Sequence, residues 1–265
     1  MLQSFDAQIE ITPTDEERRH QLIRAARFTA IAGTAFSLLT LAAFLLVPPI
    51  PGSDATPEQI QSFAEGTDGE KARIAALYLL PFACIAFVWF IVSLRMWIPR
   101  RSIRRIDVLF SNVQLVSGIV FIVLFASAAA AMSIRAVVVR EESGDFESIS
   151  SFAFPQYGNS LFFVFAIRMG AMFIFSTSTI GKQTGIFPKW FAYLGYVAGL
   201  VLLLSGSFHR WLIYALPIWT LALSILIWLH FRELSSAQSA VSTRTSESAQ
   251  QVTKSDQSVD DEMSQ

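Results

Sequence analysis

Six runs of apolar residues are each long enough to cross a bilayer as a helix, which takes about 20 residues. They lie near 28–47, 74–94, 108–132, 160–180, 188–206 and 211–231. The first reads FTAIAGTAFSLLTLAAFLLV and stops at Pro48-Pro49, which cannot continue a helix. The fifth is the shortest; Pro188 suits its first turn, and Lys189 and Trp190 suit an interface. Pro81 and Pro217 fall inside the second and sixth runs, where membrane helices accommodate a local kink. The expected fold class is therefore all-α, an integral membrane bundle of six transmembrane helices. Composition agrees. The chain is 53% hydrophobic and 15% charged, where a soluble domain carries about 25% charged residues. Its mean hydropathy is +0.48. A net charge of -1 gives no reason to expect nucleic acid, and the single cysteine, Cys84, excludes an internal disulfide.

The basic residues give the expected orientation. Arg18, Arg19, Arg24 and Arg27 precede the first span. Arg95, Arg100, Arg101, Arg104 and Arg105 occupy the connection between the second and third. Lys182 and Lys189 flank the fourth-to-fifth connection, and Arg232 follows the sixth span. The opposite side holds only Lys71, Arg73, Arg135, Arg140 and Arg210. The excess of Lys and Arg marks the cytoplasmic side, so both termini are expected there. The 27 residues before the first span include Asp6, Glu10, Asp15, Glu16 and Glu17. That is long and acidic for the start of a signal peptide, and a non-cleaved anchor fits better.

Three regions follow. Residues 1–27 form a cytoplasmic segment, helical from about 14, where Thr14 and Glu17 have capping-box spacing. Residues 28–232 form the six-helix transmembrane domain. Residues 233–265 are expected to be a disordered cytoplasmic tail: from 235 onward they hold no aromatic residue, Leu or Ile to offset chain entropy. In the first external loop, Thr56-Pro57-Glu58-Gln59 marks a short amphipathic helix ending near Gly66. The second carries Phe146, Ile149, Phe152 and Phe154, as helix or as irregular loop.

Little catalytic chemistry is on offer. His20, His209 and His230 fall on both sides of the membrane without metal-ligand spacing, and neither HExxH nor GxSxG occurs. No cofactor motif is present, and no enzyme activity is expected. Gly181-Lys182-Gln183-Thr184 lacks the earlier glycine of a phosphate-binding loop. Cys84 reads as a small packing residue.

Arg168 stands apart as the charged residue well inside a span, eight residues or about 12 Å of helix from Ser160. Insertion scales put the cost of an arginine at that depth near 2.5–3.5 kcal/mol. No Asp or Glu lies within any span. Two readings compete. The guanidinium snorkels, or is held by carbonyls and hydroxyls, and its role is structural. Otherwise its counter-ion is a ligand: an anionic headgroup, a carboxylate or a phosphate. Thr40, Tyr196, Trp219, Thr220 and carbonyls freed by Pro217 are partners at similar depth. Below it, Ser176, Thr177, Ser178 and Thr179 read as glue between helices, or as a polar path through Ser176 and Thr179. Asn112 and Gln114 enter from the same side and are placed to meet this patch. The candidate ligand-binding set is thus Arg168, Ser176, Thr179, Tyr196 and Trp219. Gly195 and Gly199, and Ala166 and Gly170, have small-xxx-small spacing, which serves internal packing and oligomerisation equally. Arg100, Arg101, Arg104 and Arg105 form a run that attracts anionic lipid or simply signals topology.

Arg168-Met169 through Phe173, Ser176 to Thr179, Gly185, Pro188, Trp190 and Leu194-Gly195-Tyr196 together resemble a bacterial, actinomycete-type family of multi-pass membrane proteins of unknown function. The Thr56–Gln59 segment is similar as well. The resemblance covers roughly residues 25–232 and leaves out both tails. It implies a multi-helix protein of the bacterial cell membrane and carries over no activity, substrate or site residue. The expected function is a non-enzymatic envelope component binding a lipid or protein partner. The alternative is a small transporter or permease in which Arg168 contacts an anionic ligand.

Overall fold

The computed structural model describes residues 15–47, 66–97, 105–137, 148–205 and 211–229, with isolated positions 56, 59, 62, 63 and 232. The helices are α1 (Asp15–Leu46), α2 (Thr67–Ile74), α3 (Leu80–Trp97), α4 (Arg105–Val137), α5 (Ser148–Ser160), α6 (Ile167–Gln183) and α7 (Lys189–Leu204). The last is α8 (Leu212–Leu229). Among the described residues there is no strand. Two of the junctions are not breaks. A π-helical turn at Ala75–Leu79 joins α2 to α3, and another at Leu161–Ala166 joins α5 to α6. In each, an amide reaches five residues back: Leu80 to the Ala75 carbonyl, Ile167 to that of Phe162. The first lies just before Pro81, which has no N–H for the carbonyl of Leu77.

Five stretches are long and apolar enough to cross a membrane: Arg24–Leu46, Thr67–Met96, Val108–Ile134, Ala153–Gln183 and Leu212–Leu229. The fifth sequence run becomes α7, which is apolar but has only 16 residues. That is about 24 Å of helix, against a hydrocarbon core of about 30 Å.

Helices α1 and α8 run antiparallel. Gly33 of α1 faces Ser224 of α8, and Phe44 faces Tyr214 further along. The start of α1 and the end of α8 therefore lie at the same end of the bundle. Arg95, hydrogen-bonded to Asn112 at 3.1 Å, belongs to that end, as does Lys182. At the other end Lys71 pairs with Asp68 at 3.1 Å.

Phenylalanines tie the helices together. Phe87 of α3 meets Phe36 of α1 (4.5 Å between centroids), Phe121 of α4 (5.3 Å) and Phe173 of α6 (5.4 Å). Phe173 continues to Trp219 of α8, which stacks on Phe191 of α7. One run of rings thus touches all six long helices. Aromatic pairs have preferred offset and edge-on geometries, so the run fixes orientation as well as contact.

Outside the bundle core, the expected helix start at Thr56 is present as a reciprocal capping box. Gln59 N–H donates to Thr56 Oγ1 (3.4 Å), and Thr56 N–H donates to Gln59 Oε1 (3.0 Å). The second external segment, open between helix and loop in the sequence, is helix α5 from Ser148. Its Gly158 sits against Met132 and the Ala128 carbonyl of α4. Thr14, Phe146, His209, His230 and the tail from 233 lie outside the described residues, although α1 does begin at Asp15.

Candidate functional site

Helices α5 and α6 and the π turn between them carry Arg168 into the bundle. Side chains on a helix lean toward its N-terminus. From position 168 that direction leads back to the π turn. There Arg168 Nη1 donates to the Val164 carbonyl, and to that of Phe163 at 3.5 Å. Both acceptors belong to the π turn, where Ile167 N–H bonds the Phe162 carbonyl five residues back and the amide-to-carbonyl register slips by one. The guanidinium is half-buried there. Among the described residues its hydrogen-bond partners therefore lie in its own chain segment and not in another helix.

The other candidate residues gather elsewhere. Thr179 is 11 residues beyond Arg168, about 16 Å along the helix and in the direction away from the guanidinium's reach. Ser176 Oγ donates to the Met172 carbonyl (2.7 Å), and Thr179 Oγ1 to that of Phe175 (2.9 Å). Each hydroxyl is thus satisfied four residues back, as serine and threonine often are in helices. Two bonds then cross between helices. Tyr196 of α7 donates its hydroxyl to Thr179 Oγ1 (3.2 Å). Gln114 of α4, buried at 2% exposure, donates from Nε2 to Thr177 Oγ1 (2.8 Å). Thr177 in turn donates to the Phe173 carbonyl at 2.7 Å. Gln114 thus meets the patch as its position implied, whereas Asn112 turns to Arg95.

Trp219 lies in the packed joint between α6, α7 and α8, away from Arg168. Its ring stacks on Phe191 at 5.9 Å. Gly195 makes the joint close: a Cβ there would stand 1.9 Å from Ser178 Oγ and 3.2 Å from Trp219 Nε1. A Cβ on Gly199 would meet the Phe175 ring at 2.7 Å. The Gly195/Gly199 pair is consumed by α7 packing on α6, and Gly170 likewise by Leu216 of α8. Among the described residues, Thr40 Oγ1, Ser178 Oγ, Trp219 Nε1 and Thr220 Oγ1 are buried without a hydrogen-bond partner.

A cavity of about 10 Å³ lies where α1, α4, α6, α7 and α8 meet. It is lined by Thr40, Phe44, Phe125, Ile167, Leu212 and Pro217, among others, and Arg168 is not part of its wall. The space is near the minimum for one water molecule. The basic run is only partly visible: Arg100, Arg101 and Arg104 lie outside the described residues, and Arg105 opens α4. Among the described residues no three His, Cys, Asp or Glu side chains come together as a metal site.

The π turn that holds Arg168 is the element that sequence reasoning missed; nothing in LFFVFA announces a change of helical register. Comparison with protein-family models, with curated proteins and with solved structures found no match.

Proposed function

We propose that the chain is a non-enzymatic component of the bacterial cell membrane with six spans and both termini cytoplasmic. It binds a lipid or protein partner at its surface and does not pass a solute through its interior. Taking α7 as the sixth span adds one crossing to the five long stretches. Lys189 and Trp190 before it, and Trp211 after the turn, are suited to the interfaces a short span must reach. The antiparallel packing of α1 and α8 supports placing both termini on one side. Arg95, Lys182, Lys189 and Arg232 support that side being cytoplasmic. The bacterial assignment rests on the family resemblance alone.

The observation that carries the functional reading is the state of Arg168. A permease built on this residue needs the guanidinium in a polar cavity. Instead its partners are carbonyls of its own π turn, while the cavity where five helices meet is lined chiefly by apolar side chains. The arginine is read as structural. The basic run Arg100, Arg101, Arg104 and Arg105 is read as a contact for anionic lipid at the cytoplasmic face.

Two measurements test this. The purified protein is melted with and without acetate, phosphate and succinate, alongside Arg168→Gln and Arg168→Lys. No anion-dependent shift that disappears with Arg168→Gln is expected; such a shift would restore the permease. Topology is read by impermeant maleimide labelling of single cysteines at positions 5 and 250 in a Cys84→Ser background. Labelling of either terminus from outside intact cells would overturn the orientation.

A further inference from the structure

The corner between α6 and α7 is built more rigidly than a connection of its length requires. Thr184 N–H donates to the Ile180 carbonyl (2.9 Å), Gly185 N–H to that of Lys182 (3.4 Å), and Phe187 N–H to that of Gly181 (3.2 Å). Gly185 takes φ of 70°, which suits glycine and closes the turn. The Phe187 ring lies on Gly181 so closely that a Cβ there would stand 1.8 Å from it.

This corner fixes a cation. Lys182 Nζ sits 4.8 Å from the centroid of the Tyr193 ring and 5.8 Å from that of Tyr196. Tyr196 is held in turn by its hydroxyl on Thr179. Lys189 is four residues before Tyr193, so both occupy one face of α7. Lys182 is thus directed to this exposed tyrosine, and Lys189 lies one turn before it on the same face. Among the described residues Lys182 has no carboxylate partner. The rings cover one side of its ammonium and leave the other open. Beside it Trp190 and Tyr193 are 65% and 56% exposed, the placement of aromatic side chains at headgroup level.

We propose that this corner binds the headgroup phosphate of an anionic phospholipid in the cytoplasmic leaflet, with Lys182 and Lys189 as its cationic ligands and Tyr193 as its floor. The proposal deepens the lipid-binding reading above, and it rests on that reading for the membrane position of the corner. Charge complementarity selects the occupant. Lys182 is placed in advance on the two rings, so less side-chain freedom is lost there on binding. The acyl chains would lie along the exposed apolar face of α7, which carries Val197 and Val201.

The test uses the full chain in detergent micelles and native mass spectrometry. Bound phosphatidylglycerol is compared with phosphatidylcholine of the same acyl chains. The wild type should retain phosphatidylglycerol preferentially. Lys182→Gln and Lys189→Gln should each reduce that preference about fivefold, the equivalent of ~1 kcal/mol per charge. Lys182→Arg should keep it, and Tyr193→Leu should weaken it. Soluble glycerophosphate should not compete; competition would reassign the corner to a free phosphate and overturn the lipid. An unchanged preference in the Lys182→Gln, Lys189→Gln double variant overturns the site. If the preference falls instead on neutralising Arg100, Arg101, Arg104 and Arg105, this site fails while the lipid-binding reading stands. If the wild type shows no preference at all, both fail.

Discussion

Around Arg168, and again around Ser176 to Thr179, one continuous helix carries polar atoms into an apolar bundle. The two stretches dispose of them differently. At Arg168 the helix changes its own hydrogen-bond register, and the guanidinium donates to two carbonyls of that same turn rather than to a neighbouring helix. Further along, the hydroxyls of Ser176, Thr177 and Thr179 donate four residues back in the ordinary way, and those of Thr177 and Thr179 then accept bonds from Gln114 of α4 and Tyr196 of α7. The charged residue is self-contained; the neutral ones join helices. A helix–helix bond between neutral groups has no charge to desolvate. A cation bridging two helices would need a carboxylate or a hydrated cavity, and the six apolar runs contain no Asp or Glu.

The largest expected effect lies in the joined stretch. Gly195→Leu should cost about 3 kcal/mol or abolish a monodisperse protein, since the new side chain meets Ser178 and Trp219 at once. Size-exclusion profiles and unfolding in mixed micelles would show it; a well-folded variant would mean that α7 can slide on α6. Gln114→Leu should cost about 1 kcal/mol, and a double-mutant cycle with Thr177→Val should give a coupling of roughly 0.6 kcal/mol. A coupling near zero would mean that the bond at 2.8 Å contributes nothing. Tyr196→Phe should cost about 0.5 kcal/mol by the same assay. The smallest effect is expected at the charge itself. Arg168→Met keeps most of the volume and leaves no other helix without a partner, so stability should stay within about 1 kcal/mol of wild type. A loss above ~2 kcal/mol would place Arg168 among the residues that join helices and erase the contrast.

Much of the framework could be read from residues alone. The long apolar runs, Thr56 and Gln59 as a cap, and Gln114 reaching the hydroxyl patch follow from period, spacing and side of entry. The candidate site was less legible. Depth joins Tyr196 and Trp219 to Arg168, and position below it on one helix joins Ser176 and Thr179; neither says which way a side chain points or which helix it faces. Arg168 reaches back along its own helix, Trp219 packs in the joint of α6, α7 and α8, and only Thr179 and Tyr196 touch. The Gly195/Gly199 spacing was equally ambiguous; the nearness of Ser178 and Phe175 settles it as packing within the chain. The π turn at Leu161–Ala166 has no residue signature, so the acceptor of the half-buried charge is not legible in the sequence.

That turn also governs how the gene would tolerate change. A π turn is, in counting, one residue inserted into an α-helix. Deleting a residue between 161 and 166 would restore regular helix and rotate α5 against α6 by roughly 100°, one residue's share of a 3.6-residue turn. Gly158 would swing away from Met132 and Ala128, although no contact residue had been altered. Substitutions in LFFVFA are therefore local events, whereas a single-codon deletion there acts at a distance. In an alignment of relatives, a one-residue gap at this point would mark a family branch whose buried arginine, if it has one, must be neutralised by other means.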